Sequence, residues 1–373
     1  MSKSIPWTIG LAALLLLDLL QWHGVAQTDG WRHQDFFGLW SFAQFIRSHP
    51  PSQLYQPLIL NPYQQALDPG FKHFYPFPYP PDFLLPLWPL GWLPYWPARL
   101  LWTLVSVTLF AWACWRALPG SCRGWGLALV LLAPASLNCL MTGETGFFTS
   151  ALLLGGFLLL PERPLLAGVC FGLLTLKPQL CVLLPFALAG CGAWRTVLAA
   201  ALTACTLVAV SCLLLPPAMW PGWWVALQQY QALSQQNAAH LAPLMTTLGA
   251  TAASFGIKGK MLLAVQLAAL ALAGWICFIL FRRGPAPLAM AAMLAGTFAV
   301  TPHAFFYDAP VLTCALLYLP WKGPFKSLDI LLGMVLLLPL FAGGAYMVYN
   351  MAGLLCFALF LRLAGLAGIR REA

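Results

Sequence analysis

The sequence predicts an all-α polytopic membrane protein, a bundle of about 12 transmembrane helices with interfacial helices on its outer face. Three observations carry that prediction. First, the 373 residues are 61% hydrophobic and only 8% charged, with mean hydropathy +0.79. Soluble chains average about 25% charged residues, so lipid must be the solvent. Second, no segments of alternating polar and apolar residues occur, which excludes a barrel and leaves helices to satisfy the backbone. Third, the 31 prolines cut the apolar sequence into runs, some long enough to span and some short. Seventeen Trp and 24 Phe suit interfacial belts and aromatic-lined cavities.

Taken in order, residues 5–22 form the first span. Lys3 gives them the look of a signal peptide, but no small-x-small cleavage site follows. A long polar stretch, 23–82, comes next and holds four of the ten acids and four of the six histidines. Within it DFFGLWSFAQFIR (35–47) predicts an interfacial helix capped by Asp35, a favoured N-cap type. DFLLPLWPLGWLPYWPARLLW then re-enters through a proline-broken start. Further spans are expected at 97–116, 124–141, 146–160, 164–176, 178–192 and 196–215. A second polar stretch, 216–258, contains GWWVALQQYQALSQQ, whose Trp223, Leu227, Tyr230 and Leu233 repeat at helical spacing. The last spans are expected at 261–281, 286–301, 304–320, 327–343 and 345–363, all within one domain over 1–373.

The 19 basic residues sit mostly singly at span ends, so the net charge of +9 is a topology pattern and not a nucleic-acid signal. With the N-terminus inside, 12 of them fall on inner ends against seven spread over the longer outer loops. Both termini are therefore expected inside, and both polar stretches outside. The 11 cysteines are scattered through apolar segments without a Cys-x-x-Cys pair, as small buried hydrophobes are.

This topology gathers polar residues on the outer side: Asp35, Glu144 in TGETGFF, Lys177 in TLKPQL, and His303 with Tyr307 and Asp308 in TPHAFFYD. Lys177 is the most informative. A charge at a helix centre costs about 2.5–3.5 kcal/mol on insertion scales, so such residues usually face a cavity and a partner. Plainer roles stand beside each: a snorkelling lysine, a solvated turn acid, an interface histidine, a helix cap. Tyr79 and His240, from the two outer stretches, are placed with Glu144 and Asp308 along a substrate cavity.

Asp35-Phe36 after a first span, Tyr79-Pro80-Pro81 leading to Pro86-Leu87, the Gly143-Glu144 turn and Leu176-Lys177-Pro178-Gln179 together resemble glycosyltransferase family 87. The resemblance runs over roughly residues 30–320. It departs from the family's pattern at Glu144, where Gln is more usual, and around Thr301-Pro302-His303. It implies a GT-C fold in the bacterial inner membrane, with the site on the periplasmic side. The implied reaction moves a hexose, with mannose the best-known case, from a polyprenyl phosphate to a glycan or glycolipid acceptor of the cell envelope. Asp35 would be the catalytic base, and Lys177 would lie near the donor phosphate with help from His303 or Tyr307. No cofactor and no metal are expected, because no Asp-x-Asp motif occurs and such a donor has one phosphate to neutralise. A lipid-carrier flippase and a non-catalytic scaffold are the competing classes.

Overall fold

The structure is a computed structural model that describes residues 31–236, 241–284, 286–320, 324–333 and 350–369, with isolated positions 16, 19, 20 and 23. Most of the first expected span, His240, residues 334–343 of the span expected at 327–343 and residues 345–349 of the span expected at 345–363 therefore lie outside the described residues. Everything described is helix, turn or loop; the one strand-like feature is an isolated antiparallel bridge between Met245 and Phe305.

The described part of the first polar stretch builds a compact lobe. Helix α1 (Asp35–Phe45) and α2 (Pro57–Leu67) are joined by a short 3-10 turn. The expectation that α1 lies exposed in an interface is corrected: Phe36, Phe37, Leu39, Phe42, Ala43 and Phe45 are all buried. A helix that is apolar all round needs partners all round. They are the turns Pro81–Phe83, Leu84–Leu87 and Trp88–Trp92, and Tyr95 at the head of the next helix. Those turns are the broken re-entry the prolines predicted.

The bundle follows with α3 (Tyr95–Ala117), α4 (Arg123–Leu132), α5 (Pro134–Thr142), α6 (Gly146–Leu159), α7 (Pro164–Leu173), α8 (Leu184–Gly190) and α9 (Trp194–Leu214). Beyond it come α10 (Met219–Gln236), α11 (Leu248–Ser254), α12 (Gly259–Phe281), α13 (Pro287–Val300), α14 (Pro310–Leu316), α15 (Lys326–Gly333) and α16 (Ala352–Ile369). Helix α13 is the axis, with every residue from Leu288 to Val300 buried. Helices α9 and α12 are the rim. Leu198, Leu202 and Leu213 on the one, and Met261, Leu267 and Trp275 on the other, are exposed, as lipid-facing side chains are.

Three helices, α3, α9 and α12, are long and apolar enough to cross a membrane, and the pair α4 and α5, bent 50° where Pro134 interrupts it, makes a fourth if taken as one span. The described residues are thus all helical, with helices of the kind membrane proteins have, and they hold fewer full spans than the 12 expected. The reason is physical. Crossing takes about 20 residues at 1.5 Å each, whereas α6 and α13 have 14. Apolar runs are long enough in sequence, but Gly and Pro divide them into shorter helices set against each other.

Two polar nodes hold the ends. The Arg362 guanidinium donates to Asp329 at 2.8 Å and ties α15 to α16. Asn350 donates to the carbonyls of Ala242 and Met245 and pins the segment before α11. All 11 cysteines are free thiols, and Cys114, Cys277 and Cys356 are fully buried, as apolar fillers should be.

Candidate active site

A cavity of about 390 Å³ lies where this lobe meets the bundle. One wall is α1, with Asp35, Gly38, Leu39 and Phe42; another is the proline-rich loop, with Tyr75 and Tyr79. The bundle contributes Asn138, Thr142 and Glu144, and the far wall is Phe305, Phe306 and Tyr307 with Tyr230, Leu241 and Leu244.

Asp35 does not cap α1. Gln34 holds the N-cap position without a side-chain bond, and Asp35 is the first helical residue, its side chain on the cavity wall. That frees the carboxylate from the backbone and corrects the expectation of a cap. Its setting is built from the loop. Buried Gln64 donates to Ser41 Oγ and to the carbonyl of Tyr75, each at 3.0 Å, and accepts from the Tyr75 N–H at 3.0 Å. Tyr75 then crosses the start of α1 and donates its hydroxyl to the carbonyl of His33 at 2.9 Å. Gly38 permits this passage, since a Cβ there would sit 2.9 Å from the Tyr75 Cβ. Asp68 braces the same end, 3.0 Å from Arg32 and 3.3 Å from His33. Burial first, and the charge of Glu144 second, push the Asp35 carboxyl up to about 7, against the pull of Tyr75 and Lys177.

The bundle side is different in kind. Gly143, at φ 72° in the left-handed region, ends α5 and lets the chain turn at once into Glu144. The Trp102 indole donates to the Gly143 carbonyl at 3.0 Å, and the Arg99 guanidinium donates to the Met141 carbonyl. Glu144 is then fully engaged. Tyr79 donates to Oε1 at 3.0 Å; Lys177 at 3.3 Å and the Thr145 N–H at 2.9 Å donate to Oε2. Burial opposes its charge, but Lys177 and the Thr145 N–H more than offset that and hold it below the usual carboxylate range.

Lys177 stands where Pro178 interrupts the apolar run, as the sequence suggested, and is buried. Its amine bridges Glu144 and Asp308, 2.6 Å from Asp308 Oδ1, with the Tyr307 ring 5.4 Å away. Asp308 in turn accepts from the Phe305 N–H at 3.1 Å. Glu144, Tyr79 and Tyr307 line the cavity; Lys177 and Asp308 stand behind it. His303 is also behind, edge-on to Phe305 at 4.7 Å and to Tyr230 at 6.3 Å, and burial lowers its basicity. Sequence reasoning missed Tyr75, Gln64, Arg99 and Trp102. The run HFYPFPYPPD was a visible signal for the tyrosines; nothing in the string marks the other three.

Among the described residues no cluster of three or more His, Cys, Asp or Glu side chains could hold a metal ion. Chemically, one accessible carboxylate faces a closed ion cluster across a pocket of aromatic rings. Among curated proteins and among solved structures nothing matches the chain. The family model for glycosyltransferase family 87 matches residues 77–302, narrower at both ends than the resemblance first read, so Glu144 and Lys177 fall inside the match and Asp35 before it. With more than half of its length matched, the chain belongs to glycosyltransferase family 87.

Proposed function

We propose that the protein transfers a hexose, mannose by family resemblance, from a polyprenyl-phosphate donor to a lipid-linked or cell-envelope glycan. Asp35 is the general base and the anomeric centre is inverted. The observation that supports this is the contrast on the cavity wall. Glu144 has both oxygens occupied within its cluster, while Asp35, which shares a hydrogen bond with Tyr75, lies on the wall of the space a substrate would fill. A base near neutrality suits this role, because it accepts the acceptor hydroxyl's proton as that oxygen attacks the anomeric carbon. The carbon–phosphate oxygen bond breaks on the opposite face, and the lipid phosphate leaves with the electron pair.

Of the residues assigned to the donor phosphate, Tyr307 is on the wall beneath the Lys177 ammonium. Lys177 gives two of its three N–H donors to Glu144 and Asp308 and stands behind Tyr307, so it bears on the phosphate by holding that part of the wall and not by direct contact. His303 acts by holding Phe305 and Tyr230 in place. The reading needs no metal or other cofactor. It places the protein in a bacterial inner membrane, both termini cytoplasmic and the cavity periplasmic, as the basic residues suggest. Family membership leaves the flippase and scaffold readings without a supporting observation.

The test is sugar transfer by purified protein in lipid nanodiscs. Asp35→Asn should lower the rate by about 10²–10⁴-fold while the protein inserts and folds as before. Full activity in that variant would remove Asp35 from the reaction.

A further inference from the structure

Lys177 brings no net positive charge to the cavity. It bridges Glu144 and Asp308, two carboxylates against one ammonium, and Asp35 adds a third acid nearby. Neither carboxylate of the cluster is free to move. Glu144 is fixed by Tyr79 and Thr145, and Asp308 by the Phe305 N–H. Arg99, the other buried cation at this end, donates to the carbonyls that end α5 and is not on the wall. Among the described residues no Lys or Arg lines the cavity, whereas Asp35 and Glu144 both do.

We infer that the sugar ring entering this cavity beside Asp35, the acceptor's terminal residue, carries no negative charge, and that uronate-type and phosphorylated rings are excluded. The inference rests on the transfer reading above, in which Asp35 must touch the acceptor hydroxyl. Like charges brought together in a buried site cost enough to reject a partner outright. The rest of the lining fits a neutral ring. Asn138, Thr142 and the Tyr79 and Tyr230 hydroxyls can exchange hydrogen bonds with sugar hydroxyls, and Phe305 and Tyr307 offer apolar faces to its C–H side. At about 390 Å³ the space is near the lower end of small-molecule sites, about 300–1,000 Å³, which suits a ring or two and not a lipid chain. The exclusion concerns the ring beside Asp35; the donor's phosphate departs from the face of the transferred sugar opposite Asp35 and does not enter that position.

The experiment compares octyl α-mannoside, its uronate and the uncharged uronamide for binding to the full-length protein in nanodiscs, read by intrinsic tryptophan fluorescence. The mannoside should bind, the uronate at least about tenfold more weakly, and the uronamide as well as the mannoside. Glu144→Gln should narrow the gap. The amide comparison decides the matter even if that variant does not fold. A uronate that binds as tightly as the mannoside, or a mannoside that does not bind, overturns the inference. Transfer is measured separately on the same preparation. Selective binding without any transfer would sink the reaction and leave the selectivity standing; transfer to both rings alike would do the reverse.

Discussion

The two sides of the cavity handle charge in opposite ways. On the bundle side, Glu144, Lys177 and Asp308 close on one another, buried and tied to backbone N–H groups and to Tyr79. On the lobe side, Asp35 is held by its surroundings yet faces open space, its basicity raised by burial and by Glu144. Interiors satisfy buried charges wherever structure is the only demand. Asp35, which shares a hydrogen bond with Tyr75 yet faces the cavity, is on the proposed reading the acid that acts, and the satisfied cluster is its framework.

The contrast can be broken from either side. The largest expected effect is on the open side, where Asp35→Asn removes the base and about 10²–10⁴ of the transfer rate with little change in stability. On the closed side Lys177→Met should act on the fold before the chemistry. It strands two buried carboxylates, a loss of about 3–5 kcal/mol on the usual scale for one partner of a buried pair. Heat-induced aggregation of the detergent-solubilised protein would show it. Adding Glu144→Gln and Asp308→Asn to Lys177→Met should restore most of that stability, since no charge is then left alone.

A smaller effect sharpens the comparison at a third acid. Asp82 is buried beneath the lobe with Oδ1 unpartnered, and burial pushes it up to about 6 from an ordinary 3.8. Because the folded state binds the proton more tightly, stability is fullest below about pH 4 and falls as pH rises to about 6. The whole change is on the order of 3 kcal/mol. Asp82→Asn should flatten that slope, which a series of thermal melts across this range would reveal.

The parts of this picture legible in the sequence are those that depend on local composition. The helices expected at 97–116, 196–215 and 261–281 emerge as Tyr95–Ala117, Trp194–Leu214 and Gly259–Phe281, because no proline interrupts their apolar runs past the first turn. The short runs expected at 146–160 and 286–301 emerge with nearly those bounds, as Gly146–Leu159 and Pro287–Val300, but helices of 14 residues fall short of a full crossing. Asp35, Glu144, Lys177 and Asp308 stand out because acids and lysines are rare in such a chain. Their pairing is not legible. Lys177 meets Asp308 across 131 residues, and only tertiary structure shows that its charge is cancelled. Asp35 looks like a cap in the sequence for the same reason: its helix is seen alone there, without the Tyr75 loop that crosses it.

The most direct measurement is the pH dependence of a single round of sugar transfer, in the native protein and in Glu144→Gln, between about pH 5 and 9. An open base beside a fixed anion should give a rate that rises with pH to a plateau, with its midpoint near 7 in the native protein and lower once the Glu144 charge is gone. A flat profile, or a midpoint that Glu144→Gln leaves in place, would contradict the assignment of Asp35 as the base held in readiness by its closed neighbour.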